Sequence, residues 1–326
     1  MLDLKSRPDL IRGLSGSKLT KRSDENSRTE FSRVAGIYGA HRGGNQMIKP
    51  EQKELFAVIG NPVDHSLSPL MMSACFRTLD VPALYAAFQV DELESDLKLL
   101  HRAGFSGLSV TIPYKETACR LAEHIDKTAE EIGALNTLRR TNLGWEGRNT
   151  DWIGALRALS NVVEVSNRNT LVLGAGGAAR AVAYGLKRAG ASVTISNRCV
   201  ERGEALSLQI KGEFIPLNML RKTSRDFDIV VQCTSVGLND SEASPIVFDS
   251  FFKPEMTVMD IIYSPRWTAF SKAAKRAGCT VVSGLEMLLY QGAAQLEWWL
   301  ERPVFETPAI AVMRNALEEA VNEKPV

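Results

Sequence analysis

Apolar positions are sparse over the first fifty residues of the chain and dense after them. The stretch "SGSKLTKRSDENSRTEFSR" has almost no face to bury and carries several basic side chains, so residues 1–52 are expected to form a flexible basic extension. At Leu55 the pattern changes: "LFAVIG" is a continuous apolar run ending in Gly60-Asn61-Pro62, which predicts a buried strand leaving into a turn. Ser68-Pro69 opens an apolar-periodic helix to about Leu79, with Ser68 placed to cap it and Pro69 tolerated in its first turn. "ALYAAFQV" predicts a second strand, "DELESDLKLLHRAG" a helix ending at Gly104, and "GLSVTI" a third strand. Strand and helix alternate at crossover lengths, which implies an open, mainly parallel α/β sheet covered by helices.

Residues 120–165 are expected to supply helices and a loop carrying "GRNTDW". After them, "NTLVLGAGGAARAVAYGLKRAGASVTISNR" has the order strand, glycine-rich turn, helix, strand of a Rossmann-type mononucleotide-binding half. Further strands are predicted at "DIVVQC", "TVMDII" and "TVVSG", with a helix at "TAFSKAAKRAG". From Leu285 the chain becomes helical, with a last helix from about Thr307. The expected layout is the extension over 1–52, a first α/β domain over 53–154, a Rossmann domain over 155–284, and helices over 285–326 that return to the first domain. Lobes joined near 154 and 284 would leave a cleft between them.

Composition narrows the class. A chain of 326 residues that is 44% hydrophobic and 24% charged can bury two ordinary cores. A net charge of +1 gives no long-range field to gather nucleic acid or an anionic membrane. Cys75, Cys119, Cys199, Cys233 and Cys279 are odd in number, widely spaced and free of any C-x-x-C pair, arguing against a disulfide framework and a thiolate zinc site. His41, His65, His101 and His124 show no metal-ligand spacing, so no metal is expected. Without an apolar leader or a bilayer-length run, a cytoplasmic location is expected.

Gly174-Ala175-Gly176-Gly177-Ala178-Ala179 fits G-x-G-x-x-A directly after a strand and at a helix start. Gly174 suits the tight turn, Gly176 the close approach of backbone to a pyrophosphate, and Ala179 close helix packing, while the helix N-terminus offers free N–H groups to phosphates. An NAD site calls for an acid at the end of the second strand. This chain has Asn197, Arg198 and then Arg202 there, whose guanidinium groups suit a 2′-phosphate and so point to NADP.

Lys115 follows the strand "GLSVTI" through a proline turn, and Asp151 lies in "GRNTDW"; both are expected on loops. An ammonium aimed in this way can stabilise the oxygen of a ketone being reduced and deliver its proton, with the carboxylate as its partner. Ser66 and Ser68 lie two residues apart in "NPVDHSLSP", where both hydroxyls can donate to one ligand.

Together, "NPVDHSLSP", "SVTIPYKE", "GALNTL" and "GRNTDWIG" resemble the shikimate dehydrogenase family in order and spacing, from about Leu55 to the last helix. The resemblance implies reversible NADP-linked hydride transfer between shikimate and 3-dehydroshikimate. A monomer or homodimer is expected. It implies Lys115 as catalytic lysine, Asp151 as its partner, and substrate contacts from Ser66, Ser68, Thr111, Asn136, Tyr263 and Gln291. Asn197, Arg198 and Arg202 would clamp the adenosine phosphate, and Thr234 and Gly284 would complete the cofactor contacts. Three positions depart from the family pattern. Ser109 stands where many bacterial members carry Asn, and could shift substrate choice; Cys199 replaces a Thr of the phosphate clamp; Gln232 replaces an Asn in "VQCTSVGL". Rival readings are a quinate or quinate/shikimate dehydrogenase with relaxed cofactor use, a methylenetetrahydrofolate dehydrogenase of similar build, and a ligand-sensing regulator without turnover. "SLSP" and "NTD" disfavour the second; retention of both Lys115 and Asp151 disfavours the third.

Overall fold

A computed structural model of the protein describes residues 53–246 and 248–322, so the extension expected over 1–52 lies outside the described residues. The chain builds two six-stranded sheets. The first part runs β1 (Glu54–Gly60), α1 (Ser68–Thr78), β2 (Ala83–Gln89), α2 (Leu93–Arg102), β3 (Gly107–Val110), α3 (Lys115–Leu121), β4 (His124–Ile125), α4 (Lys127–Ile132), β5 (Thr137–Thr141) and β6 (Gly144–Arg148). Helix α5 (Asp151–Ser160) leads into β7 (Asn169–Leu173), α6 (Gly177–Arg188), β8 (Ser192–Asn197), α7 (Val200–Gln209), β9 (Glu213–Pro216), β10 (Ile229–Gln232), β11 (Thr257–Asp260), α8 (Ala269–Arg276) and β12 (Thr280–Ser283). Two helices close the chain, α9 (Gly284–Leu300) and α10 (Ala309–Asn322).

In the first sheet the strand order is β2-β1-β3-β5-β6-β4. Strand β1 pairs in parallel with β2 and β3, whereas β3–β5 and β5–β6 are antiparallel and β4–β6 is parallel. The β5–β6 hairpin lies where helices and a loop are expected from the sequence. Its strand "TLRRT" carries two adjacent arginines, and Arg139 is held by Glu146 at 3.0 Å and Glu301 at 2.9 Å and stacks over the Trp298 ring. Tertiary partners thus supply what the local pattern lacks.

The second sheet is parallel throughout, in the order β12-β11-β10-β7-β8-β9. Read from β9, this is the doubly wound arrangement in which ligands bind outside the carboxyl ends of the strands at the point where the order reverses. That point lies beside β7, whose carboxyl end runs into Gly174.

The last helices return to the first sheet: Leu289, Ala293, Leu296 and Trp299 of α9 and Met313 and Leu317 of α10 share one buried core with Phe56, Val58, Met71 and Met72. Helix α9 also crosses α5 closely. A Cβ on Gly154 would lie 2.6 Å from the Met287 carbonyl oxygen and 2.8 Å from Gln291 Cβ. This crossing joins the two lobes, and it brings Asp151 at the start of α5 within reach of Gln291 on α9. The connections expected near 154 and 284 fall within α5 and at the first residue of α9.

At the end of β11, Asp260 organises the loop that carries Tyr263. Its carboxylate accepts from the Thr268 hydroxyl at 2.5 Å and from the Ile262 N–H at 3.1 Å, and Thr268 in turn caps α8. Burial outweighs these hydrogen bonds and pushes the carboxyl up to about 6. The folded protein therefore holds this proton more tightly than the unfolded chain does. Asp260 contributes stability that is fully present below the unfolded carboxyl value and lost as pH rises to about 6, on the order of 3 kcal/mol. Asp260→Asn is expected to flatten that part of the pH dependence in denaturant unfolding between about pH 4 and about pH 7. An unchanged slope would contradict the assignment.

Candidate active site

Lys115 and Asp151 meet across the top of the first sheet, Nζ to Oδ2 at 2.5 Å, with side chains only 14% and 4% exposed. Both were expected on loops, but each is the first residue of a helix, Lys115 of α3 and Asp151 of α5. A helix start fixes the backbone under the side chain, and a negative Asp151 is favoured at the positive end of α5. Two neighbours hold Asp151: the Asn149 side-chain oxygen accepts from its N–H at 3.0 Å, and Asn136 Nδ2 donates to its Oδ1 at 3.0 Å.

Asn136 connects the site. Its amide nitrogen is also within 2.9 Å of Gln291 Oε1 and Thr150 Oγ1, and its oxygen accepts from the Thr150 N–H at 2.7 Å. Two amide protons facing three acceptors leave one acceptor open to another donor, such as a ligand hydroxyl.

A cavity of about 240 Å³ opens over this cluster. Ser66, Ser68, Ser109, Thr111, Lys115, Asn136, Asp151, Tyr263 and Gln291 all line it, so every substrate-side residue singled out in the sequence reaches one space. Ser66, not Ser68, supplies the helix-start hydroxyl: Leu67 is the N-cap of α1, and the Ser68 N–H donates to Ser66 Oγ at 3.3 Å. Burial raises the Tyr263 phenol above its ordinary value, keeping it a proton donor.

Two residues, Gln295 in the cavity lining and Tyr85 behind it, were not legible in the sequence. Tyr85 donates to Ser109 Oγ at 2.6 Å, and Ser109 donates onward to Gln295 Oε1, also at 2.6 Å. Gln295 is fixed in turn by the Asn136 carbonyl and Thr137 Oγ1, each at 3.0 Å. Ser109 has therefore committed its one proton and faces the cavity as an acceptor. Cys233 also lines the cavity, with its thiol pushed up by burial, so it stays neutral there.

Gly176, Gly177, Ala178, Thr234 and Gly284 line the same cavity. Gly174 turns at φ +117°, a conformation that needs glycine. A Cβ on Gly176 would meet nothing within 4 Å, so open space lies where a dinucleotide's phosphates would approach the start of α6. Gly177 has a different neighbour: its Cβ would come 2.8 Å from Lys115 Cβ, so the nucleotide helix is seated directly on the lysine stem. These features fit a dinucleotide.

Asn197, Arg198 and Arg202 lie at the end of β8 and the start of α7, outside the residues lining this cavity. Asn197 Nδ2 donates to the Cys199 carbonyl at 2.8 Å, and the Cys199 thiol donates to Glu201 at 3.1 Å. Gln232 folds back on its own loop, accepting from the Thr234 N–H at 2.5 Å and donating to the Val236 carbonyl at 2.9 Å. Its amide thus shapes the loop that carries Thr234.

A dinucleotide turn facing a buried lysine–carboxylate pair, with a ring of hydroxyl and amide groups between them, defines a nucleotide-dependent oxidoreductase of small polar substrates. The sequence is matched by two family models, the shikimate dehydrogenase substrate-binding domain over residues 58–138 and shikimate / quinate 5-dehydrogenase over residues 157–248. It is 58% identical over 280 residues to shikimate dehydrogenase (NADP(+)) of Syntrophobacter fumaroxidans, covering 85% of this chain and 98% of that protein. The same enzyme of Methanococcoides burtonii is 38% identical, over 83% of this chain and 99% of that one. The crystal structure of shikimate 5-dehydrogenase from Thermus thermophilus in complex with NADP(H) and shikimate superposes with a TM-score of 0.74, at 36% identity, over 82% of this chain and 99% of that chain. The chain belongs to the shikimate dehydrogenase family.

Proposed function

We propose that the protein catalyses the reversible NADP-dependent reduction of 3-dehydroshikimate to shikimate, a step in the making of chorismate and the aromatic amino acids. The observation that carries this reading is the Lys115–Asp151 pair, 2.5 Å apart and mostly buried, lining one cavity together with the start of the nucleotide helix. When bound, NADPH supplies the hydride that reduces the ketone carbon. Lys115 provides what that transfer leaves unmet: its ammonium stabilises the negative charge developing on the ketone oxygen and gives up a proton to it. In the reverse direction the neutral amine takes the proton from the hydroxyl.

Asp151 orients the ammonium through Oδ2 and, through its remaining lone pairs, can accept from a neighbouring substrate hydroxyl. Ser66, Ser68 and Tyr263 are the donors for the substrate carboxylate, while Thr111, Asn136 and Gln291 read its hydroxyl groups. A site built this way rejects analogues that lack those hydroxyls, because its buried polar groups are then left unpaired. Gly174, Ala175, Gly176, Gly177 and Ala178, with Thr234 and Gly284, would hold the dinucleotide, and Asn197, Arg198 and Arg202 its adenosine 2′-phosphate. The choice of NADP over NAD is supported by the two arginines and by the absence of an acid at Asn197. Ser109, presented as an acceptor, distinguishes this pocket from one carrying Asn there, and is where preference between shikimate and quinate would be set.

The five cysteines are all free thiols, and no helix among the described residues is long and apolar enough to cross a membrane; the first observation supports a reducing, cytoplasmic setting. The test of the reading is product identification. Purified protein with NADPH and 3-dehydroshikimate should consume both and form shikimate in equal amount, and NADPH oxidation without shikimate would refute it.

A further inference from the structure

One charged contact beside the active site has no part in the chemistry above. Glu116, next to Lys115 in the first turn of α3, reaches across to the nucleotide lobe. Arg202 Nη2 donates to Glu116 Oε1 at 2.6 Å, and Arg180 Nε lies 3.7 Å from Glu116 Oε2. The same Nη2 of Arg202 also donates to the Ala175 carbonyl at 3.3 Å, within the glycine-rich turn.

A guanidinium grips a phosphate through two parallel N–H bonds, and Nη2 carries only two protons. With one on Glu116 and the other on the Ala175 carbonyl, the edges of Arg202 that include Nη2 have no two-pronged face to offer. Arg198, at the end of β8, is exposed and makes no hydrogen bond or ion pair with any described residue. The two arginines suited to a 2′-phosphate are thus in different states, one free and one already paired with a carboxylate from the opposite lobe.

We propose that Glu116 is a specificity-determining residue for the cofactor: it competes with the 2′-phosphate for Arg202, so that a phosphorylated dinucleotide binds fully only as this bridge between the lobes opens. The inference rests on the NADP reading given above. A phosphate arriving at Arg202 both loses a donor to Glu116 and is repelled by its carboxylate. NAD carries no phosphate there and is indifferent to the contact. Glu116 therefore weakens NADP binding selectively and narrows the discrimination that Arg198 and Arg202 create. When Arg202 leaves, Glu116 keeps a cation nearby: Arg180 is 18% exposed and is held in place by Gln209 at 2.7 Å.

Calorimetric titration of wild type, E116Q, R202A and the double variant with 2′,5′-ADP, NADP+ and NAD+ tests this without turnover. E116Q is expected to bind 2′,5′-ADP and NADP+ about three- to tenfold more tightly, with NAD+ affinity changed by less than about twofold. In the double variant the effect of E116Q should vanish, because Glu116 acts through Arg202. Unchanged or weaker 2′,5′-ADP binding by E116Q, with R202A binding it less well than wild type, would overturn the inference. An R202A that binds 2′,5′-ADP as well as wild type would overturn the assignment of Arg202 to the phosphate.

Discussion

Lys115→Ala is expected to lower kcat by about three orders of magnitude, with the KM for shikimate changing by less than about fivefold. The asymmetry follows from the lysine's position. Its ammonium is paired with Asp151, while other donors and acceptors of the cavity, among them the serines, Thr111, Tyr263, Asn136 and Gln291, are left in place by the substitution. On the proposed reading, ground-state binding is therefore spread over many groups, whereas proton delivery to the reacting oxygen falls to one. Steady-state kinetics in the shikimate-oxidising direction would check this, with thermal unfolding as the control for folding. Loss of KM with kcat intact would make Lys115 a binding residue instead.

Gly176→Val is expected to abolish dinucleotide binding while leaving the protein folded, with an affinity loss of about 100-fold or more. Gly176 has φ −89° and ψ −175°, extended backbone open to any residue, and a Cβ there meets nothing within 4 Å. The empty space is what the pyrophosphate needs, so a side chain grown into it from Gly176 competes with the ligand. Gly177 offers the contrast: its Cβ would press on the Lys115 stem, so a substitution there disturbs the lysine as well as the cofactor. Cofactor titration together with thermal unfolding separates the two. A Gly176→Val protein with normal affinity would mean that the dinucleotide does not approach this turn.

The strands that carry the site were readable because they are mostly buried: "LFAVIG" and "LVLG" are continuous apolar runs with no polar position to confuse period with length. The β5–β6 hairpin was not readable, since Arg139 and Arg140 interrupt its apolar pattern and the partners of Arg139 include Glu301, far along the chain. Of the site, the residues whose chemistry is local to a motif could be found: the glycine turn, the serine pair, Lys115 and Asp151. Those whose role depends on a distant partner could not. Tyr85 sits within an apolar strand, where it reads as core, and Gln295 lies on a helix 186 residues beyond the Ser109 it holds. Glu116 likewise reads as one more surface acid until α7 brings Arg202 against it.

Lys115 and Asp151 show the same limit in another form. Residue type and spacing pointed to proton transfer, but not to the two helix starts that aim both groups, because the seven-residue α3 is too short to leave a clear apolar stripe.

The proposed function requires that the cavity read a hydroxylated cyclic acid and that Arg198 and Arg202, outside its lining, read the 2′-phosphate of the dinucleotide. Its most direct test is kcat/KM measured for shikimate and quinate, each with NADP+ and with NAD+. The highest value is expected for shikimate with NADP+, with a loss on changing either component. A higher value for quinate, or for NAD+, would contradict it.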